Sequence, residues 1–332
     1  MFEKNYRPTS PDFWSGRVDD TEDYDAFRWH QIVELIDLLE PDMPSYTSGF
    51  CLLGFCCDKG VAQNLGRTGT SKGPISIRRE MTNLPCSFPQ GTRIYDAGDI
   101  FPFDGVLEDV QKALSEAVCM IFKLGLFPIV LGGGHEIAYG HYLGIEKFLQ
   151  QRTARLGIVN LDAHFDMRPF SQGPSSGSMF LQIAQRCNQR GYPFSYMVLG
   201  IQQYGNTVSL FKSAKKFRTN YIMARDISNG TLSRVHKKID DFIDQHDHIY
   251  LTLCADVISS AYAPGVSAPQ PFGLHPEIIL QLIKIVVRSG KALSFDIAEV
   301  SPRFDEDNRT SKLAAIIAFA VINTVIETAA QE

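Results

Sequence analysis

In the stretch LGIVNLDAHFDMRP (Leu156–Pro169), an apolar run ends in Asp162, His164 and Asp166. Leu156, Ile158, Val159 and Leu161 are strand-forming residues, and side chains two apart at a strand end share a face. Two carboxylates and an imidazole held together are unfavourable alone and well suited to a metal ion. Two other apolar runs end in the same kind of group: PIVLGGGHE on His135, and HIYLTLCAD on Cys254 and Asp256. Together these groups exceed the needs of one ion and suit two ions about 3.5–4 Å apart with shared carboxylates. Imidazole and carboxylate favour borderline or hard divalent ions such as manganese. Such a pair lowers the pKa of a bridging water to give hydroxide at neutral pH, and stabilises the charge of a tetrahedral intermediate. The competing reading, separate caps and salt bridges, is weakened by the repetition of one pattern at three strand ends.

The elements that must position these groups alternate strand and helix. Strands are expected at 48–58, 92–100 near the sheet edge, 128–132, 156–161, 195–202, 221–226, 248–254 and in the segment from Lys291. Helices are expected at 104–124, 231–245 and 276–288, and from Lys312 to the end. In the first of these, Val106, Val110, Ala113, Leu114, Ala117, Val118 and Ile121 recur at helical spacing. Apolar strands between helices imply a parallel sheet covered on both faces, which takes its ligands at the carboxyl ends of the strands. The triple glycine before His135 fits neither GxGxxG nor GxxxxGK[ST]; it serves a tight turn and close backbone approach. Residues 1–45 read as an arm and one helix, packed through Trp14, Phe27 and Trp29 on a single domain over 46–332.

The 332 residues are 44% hydrophobic and 21% charged, with a formal charge of −5. An acidic chain gives no general case for nucleic acid, and Lys212, Lys215, Lys216 and Arg218 read as a solvated face. Seven cysteines without a CxxC pair argue against a disulfide framework and for thiols in a reducing cytoplasm. The first residues lack the basic and apolar regions of a signal peptide. No uncharged apolar run approaches the ~18 residues of a membrane span, and Ala314–Ile326 reads as a buried helix. A small-molecule substrate is expected, with no nucleic-acid or membrane partner.

GGGHE (Gly132–Glu136), DAHFD (Asp162–Asp166), APGVSAP (Ala263–Pro269) and EVSPRFD (Glu299–Asp305) resemble motifs of the arginase/agmatinase/formimidoylglutamase family, the ureohydrolases. The resemblance runs from about residue 50 to the end. WSGRVDD (Trp14–Asp20), NLGRTG (Asn64–Gly69), SSGSMF (Ser175–Phe180) and APGVSAPQPFGL point to its formimidoylglutamase branch. It implies a three-layer α/β/α sandwich around a central, mostly parallel sheet, two manganese ions per subunit and a closed homo-oligomer. By the same resemblance His135 and Asp162 hold one ion, His164 holds the other, Asp166 bridges, and Asp256 is a further ligand. The implied reaction is hydrolysis of N-formimidoyl-L-glutamate to L-glutamate and formamide, in histidine degradation. Hydroxide raised on the ion pair attacks, Asp166 relays its proton, and Glu299 meets the charged imino nitrogen. The plainer role for Glu299 is a salt bridge to Arg303 or Arg309.

Two departures stand out. The family carries Asp-x-Asp where this chain has Cys254 and Asp256. Cys254 either ligates as a thiolate, opening the site to zinc or iron, or leaves one ion weakly held, or marks a non-catalytic relative. The intact remaining positions favour a working enzyme. The proton-shuttling histidine of arginases falls at Met179. For the two substrate carboxylates Arg168 is the first candidate, since an arginine fork matches a carboxylate; Ser175, Ser176 and Arg67 follow. Arg67 and Arg78 also read as salt-bridged scaffold. A cation at this place disfavours agmatine, whose far end is positive. The rivals are another ureohydrolase (arginase, agmatinase or a guanidino-acid hydrolase), a metal-poor binding relative and a deacetylase-like hydrolase.

Overall fold

Ten strands build one sheet in the computed structural model, which describes residues 2–40, 48–149 and 154–331. They are β1 (Tyr6–Arg7), β2 (Val33–Leu35), β3 (Phe50–Phe55), β4 (Ile94–Ile100), β5 (Phe127–Gly132), β6 (Leu156–Leu161), β7 (Tyr196–Ile201), β8 (Asn220–Met223), β9 (His248–Cys254) and β10 (Ala292–Ala298). The order is β1-β4-β3-β5-β10-β9-β6-β7-β8, with β2 also on β4. Only β1 runs antiparallel to its neighbour.

Alternation along each strand divides the interior into two cores. Phe50 and Leu52 face one side, with helices 73–81, 276–287 and 309–329. Cys51, Leu53 and Phe55 face the other, with helices 107–123, 137–149 and 179–190. The period of two has this consequence when both faces are covered, and the result is the expected three-layer α/β/α sandwich. The last helix starts at Arg309, three residues before the expected Lys312, because Asp305 accepts hydrogen bonds from the Thr310 and Ser311 amides. It is long and apolar enough to cross a membrane by length and composition. In this fold its Ala314, Ala315, Ile317, Ala318, Val321 and Ile322 are buried in the first core.

The first forty residues differ from the expected arm and helix. Their helical content is a turn at Phe2–Asn5, one at Trp29–Ile32 and two short 3-10 segments, and they add β1 and β2 beyond β4. Val33 and Leu35 alternate with Glu34, which suits a strand and not a helix face. Trp14 and Trp29 are buried as expected, and Phe27 is half-buried. The expected boundary at 45–46 lies outside the described residues. Beside β4, the fully buried Arg78 donates to Asp96 at 2.8 Å, Asp99 at 2.6 Å and the Gly98 carbonyl at 2.7 Å. The Trp14 indole closes the cluster on Asp96 at 2.8 Å. Arg78 is therefore scaffold and not a substrate contact.

Candidate metal centre

Strands β5, β10, β9 and β6 are neighbours, so their carboxyl ends form one contiguous rim. His135 follows β5, Glu299 follows β10, Cys254 and Asp256 come from the end of β9, and Asp162, His164 and Asp166 lie just beyond β6. The donor atoms of His135, Asp162 and Cys254 lie within 4.8 Å of one another, and so do those of Asp162, His164 and Asp256. His135 Nδ1 is 3.0 Å from Asp162 Oδ2 and 3.0 Å from Asp166 Oδ2. His164 Nδ1 is 3.1 Å from Asp256 and 3.6 Å from Asp162 Oδ1. The residue common to both groups is Asp162.

The resemblance implies Asp166 as the bridge; here Asp162 is the residue common to both groups, and Asp166 pairs with His135. The regular strand stops at Leu161, and Asp166 has φ +50°, so the spacing by two is no longer the spacing of a strand. Asp162 instead spreads its two oxygens, one towards each histidine. Asn160 steadies it by donating to Oδ2 at 3.0 Å.

The electrostatics are those of a site short of positive charge. Burial alone would lower the pKa values of both rings. Hydrogen bonds to Asp162 and Asp166 outweigh burial for His135, and the charge of Asp256 with the hydrogen bond to Asp162 does so for His164, so both are held well above the ordinary histidine value. Burial and the charge of Asp162 push Asp166 up. Burial pushes the Cys254 thiol well up, with Asp162 and Asp256 adding to it. Asp256 Oδ1 is buried without a hydrogen-bond partner among the described residues. Surplus carboxylates, an unpartnered buried oxygen and two imidazoles fit a pair of divalent cations.

Glu299 stands at the rim with φ +67° and is buried. Its Oε1 accepts from the His135 amide at 3.0 Å and its Oε2 from Ser267 Oγ at 2.5 Å. Burial raises it to about 7. No ion pair joins it to Arg303 or Arg309: Arg309 pairs with Glu306, and Arg303 stacks near the Phe304 ring. Beneath it lies Glu136, wholly buried, accepting from the Gly60 amide at 2.8 Å. Burial first, and the charge of Glu299 second, raise Glu136 to about 8. A Cβ on Gly134 would sit 1.9 Å from the Glu136 carboxylate and one on Gly60 2.6 Å from its carboxyl carbon, so a side chain at either position would displace that carboxylate.

The expected substrate residues separate. Arg168 is exposed, and its side chain lies with Asn64 against Gly177 at the mouth. Ser175 and Ser176 are buried; Ser175 Oγ accepts from the Gly177 amide at 3.3 Å, and the Ser176 amide donates to Gly60 at 3.1 Å. Ser175 therefore shapes the loop. The Arg67 guanidinium donates to the Val266 carbonyl at 2.7 Å and the Ser267 carbonyl at 3.0 Å, and stacks 4.0 Å over Phe304. With its fork turned to the chain's own backbone, Arg67 holds the loop that carries Ser267. Met179 is fully buried in the second core. Ser267, Glu136 and Asn160 lay in motifs already noticed, yet no signal in the sequence marked their partners.

The arginase family profile matches residues 48–323. Formimidoylglutamase of Clostridium tetani is 49% identical over 97% of this chain and 96% of its own length. Formimidoylglutamase of Geobacillus thermodenitrificans is 44% identical over 93% and 94%. Among solved structures, formimidoylglutamase from Bacillus subtilis superposes with a TM-score of 0.79 at 21% identity, covering 94% of this chain and 96% of that one. Trypanosoma cruzi formiminoglutamase with Mn2+ gives 0.74 at 21% identity, covering 86% and 96%.

Proposed function

This chain belongs to the arginase family, and we propose that it acts within it as a manganese-dependent formimidoylglutamase. It hydrolyses N-formimidoyl-L-glutamate to L-glutamate and formamide, a step of histidine degradation. The observation that carries this reading is the near-full-length identity to curated formimidoylglutamases. The rim of carboxylates and imidazoles supports it independently.

His135, Asp162 and Cys254 would hold one ion and Asp162, His164 and Asp256 the other, with Asp166 beside the first group. When bound, such a pair supplies a nucleophile from water at neutral pH and offsets charge developing on the substrate. The rest falls to the chain. Glu299, oriented by Ser267 and the His135 amide, accepts from the imino N–H of the formimidoyl group and so turns its carbon towards the ions. Asp166, with its side chain 11% exposed, takes the proton of the attacking water and returns it to the leaving nitrogen. Arg168, with Asn64 beside it, receives a substrate carboxylate at the mouth. Manganese is the first ion of this reading, and the Cys254 thiolate keeps zinc and iron as competitors. A reducing cytoplasm suits seven cysteines of which none is disulfide-bonded, and a closed homo-oligomer completes the proposal.

The test is a product assay. Protein stripped by chelator and reloaded with manganese should release equimolar formamide and glutamate from formimidoylglutamate, and the stripped protein should release neither. Urea from arginine, agmatine or a guanidino acid, with no formamide, would assign it to another branch. Less than about one manganese per chain and no product at all would make it a metal-poor relative.

A further inference from the structure

Behind the rim runs a line of buried polar side chains that the reaction does not touch. β9 and β10 are adjacent, and their register places Thr252 beside Asp296. Thr252 Oγ1 donates to Asp296 Oδ1 at 2.6 Å. Asp296 Oδ2 accepts from the Tyr250 hydroxyl and lies 2.6 Å from His141 Nδ1. On the other side, Thr252 Oγ1 lies 3.1 Å from His135 Nε2. Thr252, Asp296, Tyr250 and His141 show no solvent exposure and His135 about 1%.

The direction of each bond follows from the donors available. A hydroxyl has one hydrogen, and that of Thr252 points to a carboxylate that is also bound by Tyr250 and His141. Towards His135, Thr252 can therefore only accept. Nε2 must carry a hydrogen, so when a cation takes the place of the Nδ1 proton it is the Nδ1 lone pair that faces the space shared with Asp162 and Cys254. A second bond on the far nitrogen is how a ligating histidine has its tautomer and ring orientation set. Here the same fold element sets both ends: Tyr250, Thr252 and Cys254 alternate on one face of β9.

We propose that Thr252 is a positioning residue for His135, and that Asp296, held by Tyr250 and His141, fixes the direction of the Thr252 hydroxyl. His141, six residues beyond His135 on the helix that covers the sheet, thus belongs to the centre without reaching it. The inference rests on the two-ion reading above, and its test separates the two. Manganese is titrated calorimetrically into metal-stripped wild type, Thr252→Val and Thr252→Ser, with free manganese counted by electron paramagnetic resonance. Valine keeps the shape and removes the hydroxyl, so one of the two binding steps should weaken about tenfold or more, while serine restores it to within about threefold. Wild-type affinity in Thr252→Val would overturn the proposal, and so would an equal loss in Thr252→Ser, which would indicate packing. If Thr252→Val does not fold, Tyr250→Phe decides: a severalfold loss in the same step supports the relay, and no loss overturns it. Failure of wild type to bind manganese would instead remove the two-ion reading.

Discussion

Two clusters of buried charge lie against the same sheet and are built on opposite terms. Beside β4, Arg78 is surrounded by Asp96, Asp99, the Gly98 carbonyl and, through Asp96, the Trp14 indole. There the carboxylates have found a cation that the chain itself supplies. At the rim of β5, β10, β9 and β6, Asp162, Asp166, Asp256, Glu136 and Glu299 gather near two imidazoles, and among the described residues no arginine or lysine pairs with them. The contrast separates a charge group that holds the fold from one that awaits a cation from solution. In the first, removing the arginine leaves two carboxylates uncompensated. In the second, several carboxylates share two imidazoles, so removing one of them costs the metal-free protein less than removing the lone arginine costs the first cluster.

Substitutions that exchange these behaviours would break the comparison. Asp162→Asn should carry the largest effect. Loss of the shared ligand should lower the rate of formamide release by about 10³-fold or more, equivalent to roughly 4 kcal/mol of barrier, while urea unfolding of the metal-free protein shows a smaller loss of stability than in Arg78→Met. A comparable loss of metal-free stability would mean that the rim also holds the fold. Arg78→Met should do the opposite. With Asp96 and Asp99 left unpaired, stability should fall by about 3–5 kcal/mol, and the manganese stoichiometry of the folded fraction should be unchanged. Arg168→Ala should raise KM for formimidoylglutamate about tenfold, roughly 1.4 kcal/mol, with kcat little altered; an unchanged KM would reject the carboxylate contact. Cys254→Asp should be the mildest, keeping or raising manganese-supported activity while weakening the hold on zinc. Loss of manganese activity would show that the thiol is specifically required.

The strands of the site were legible because each is a short apolar run with a polar end, a pattern that survives without knowing its neighbours. The layered fold followed from their alternation with helices. What the runs do not encode is lateral order, which is why the partnership of Thr252 with Asp296 is invisible before the register is known. Asp166 was expected to bridge from the likeness of its motif, which does not show that the regular strand stops at Leu161. Arg67 resembled a substrate ligand because its true acceptors are main-chain carbonyls almost two hundred positions away. A carbonyl carries no mark in a sequence. The arm before β3 was misread for a related reason: its two short strands exist only because β4 offers an edge to pair with.

β10 is the last strand to be made and the one that enters the middle of the sheet. Without it β5 has β3 as its ladder partner and β9 has β6, and no strand joins the two sets. A nascent chain that has not yet passed Ala298 therefore carries two half-sheets side by side, with His135 on one and Asp162 on the other. The group of Asp162, His164 and Asp256 can form on the β6–β9 half alone, whereas the group that contains His135 has to wait for the last strand, so the two halves of the centre mature in sequence.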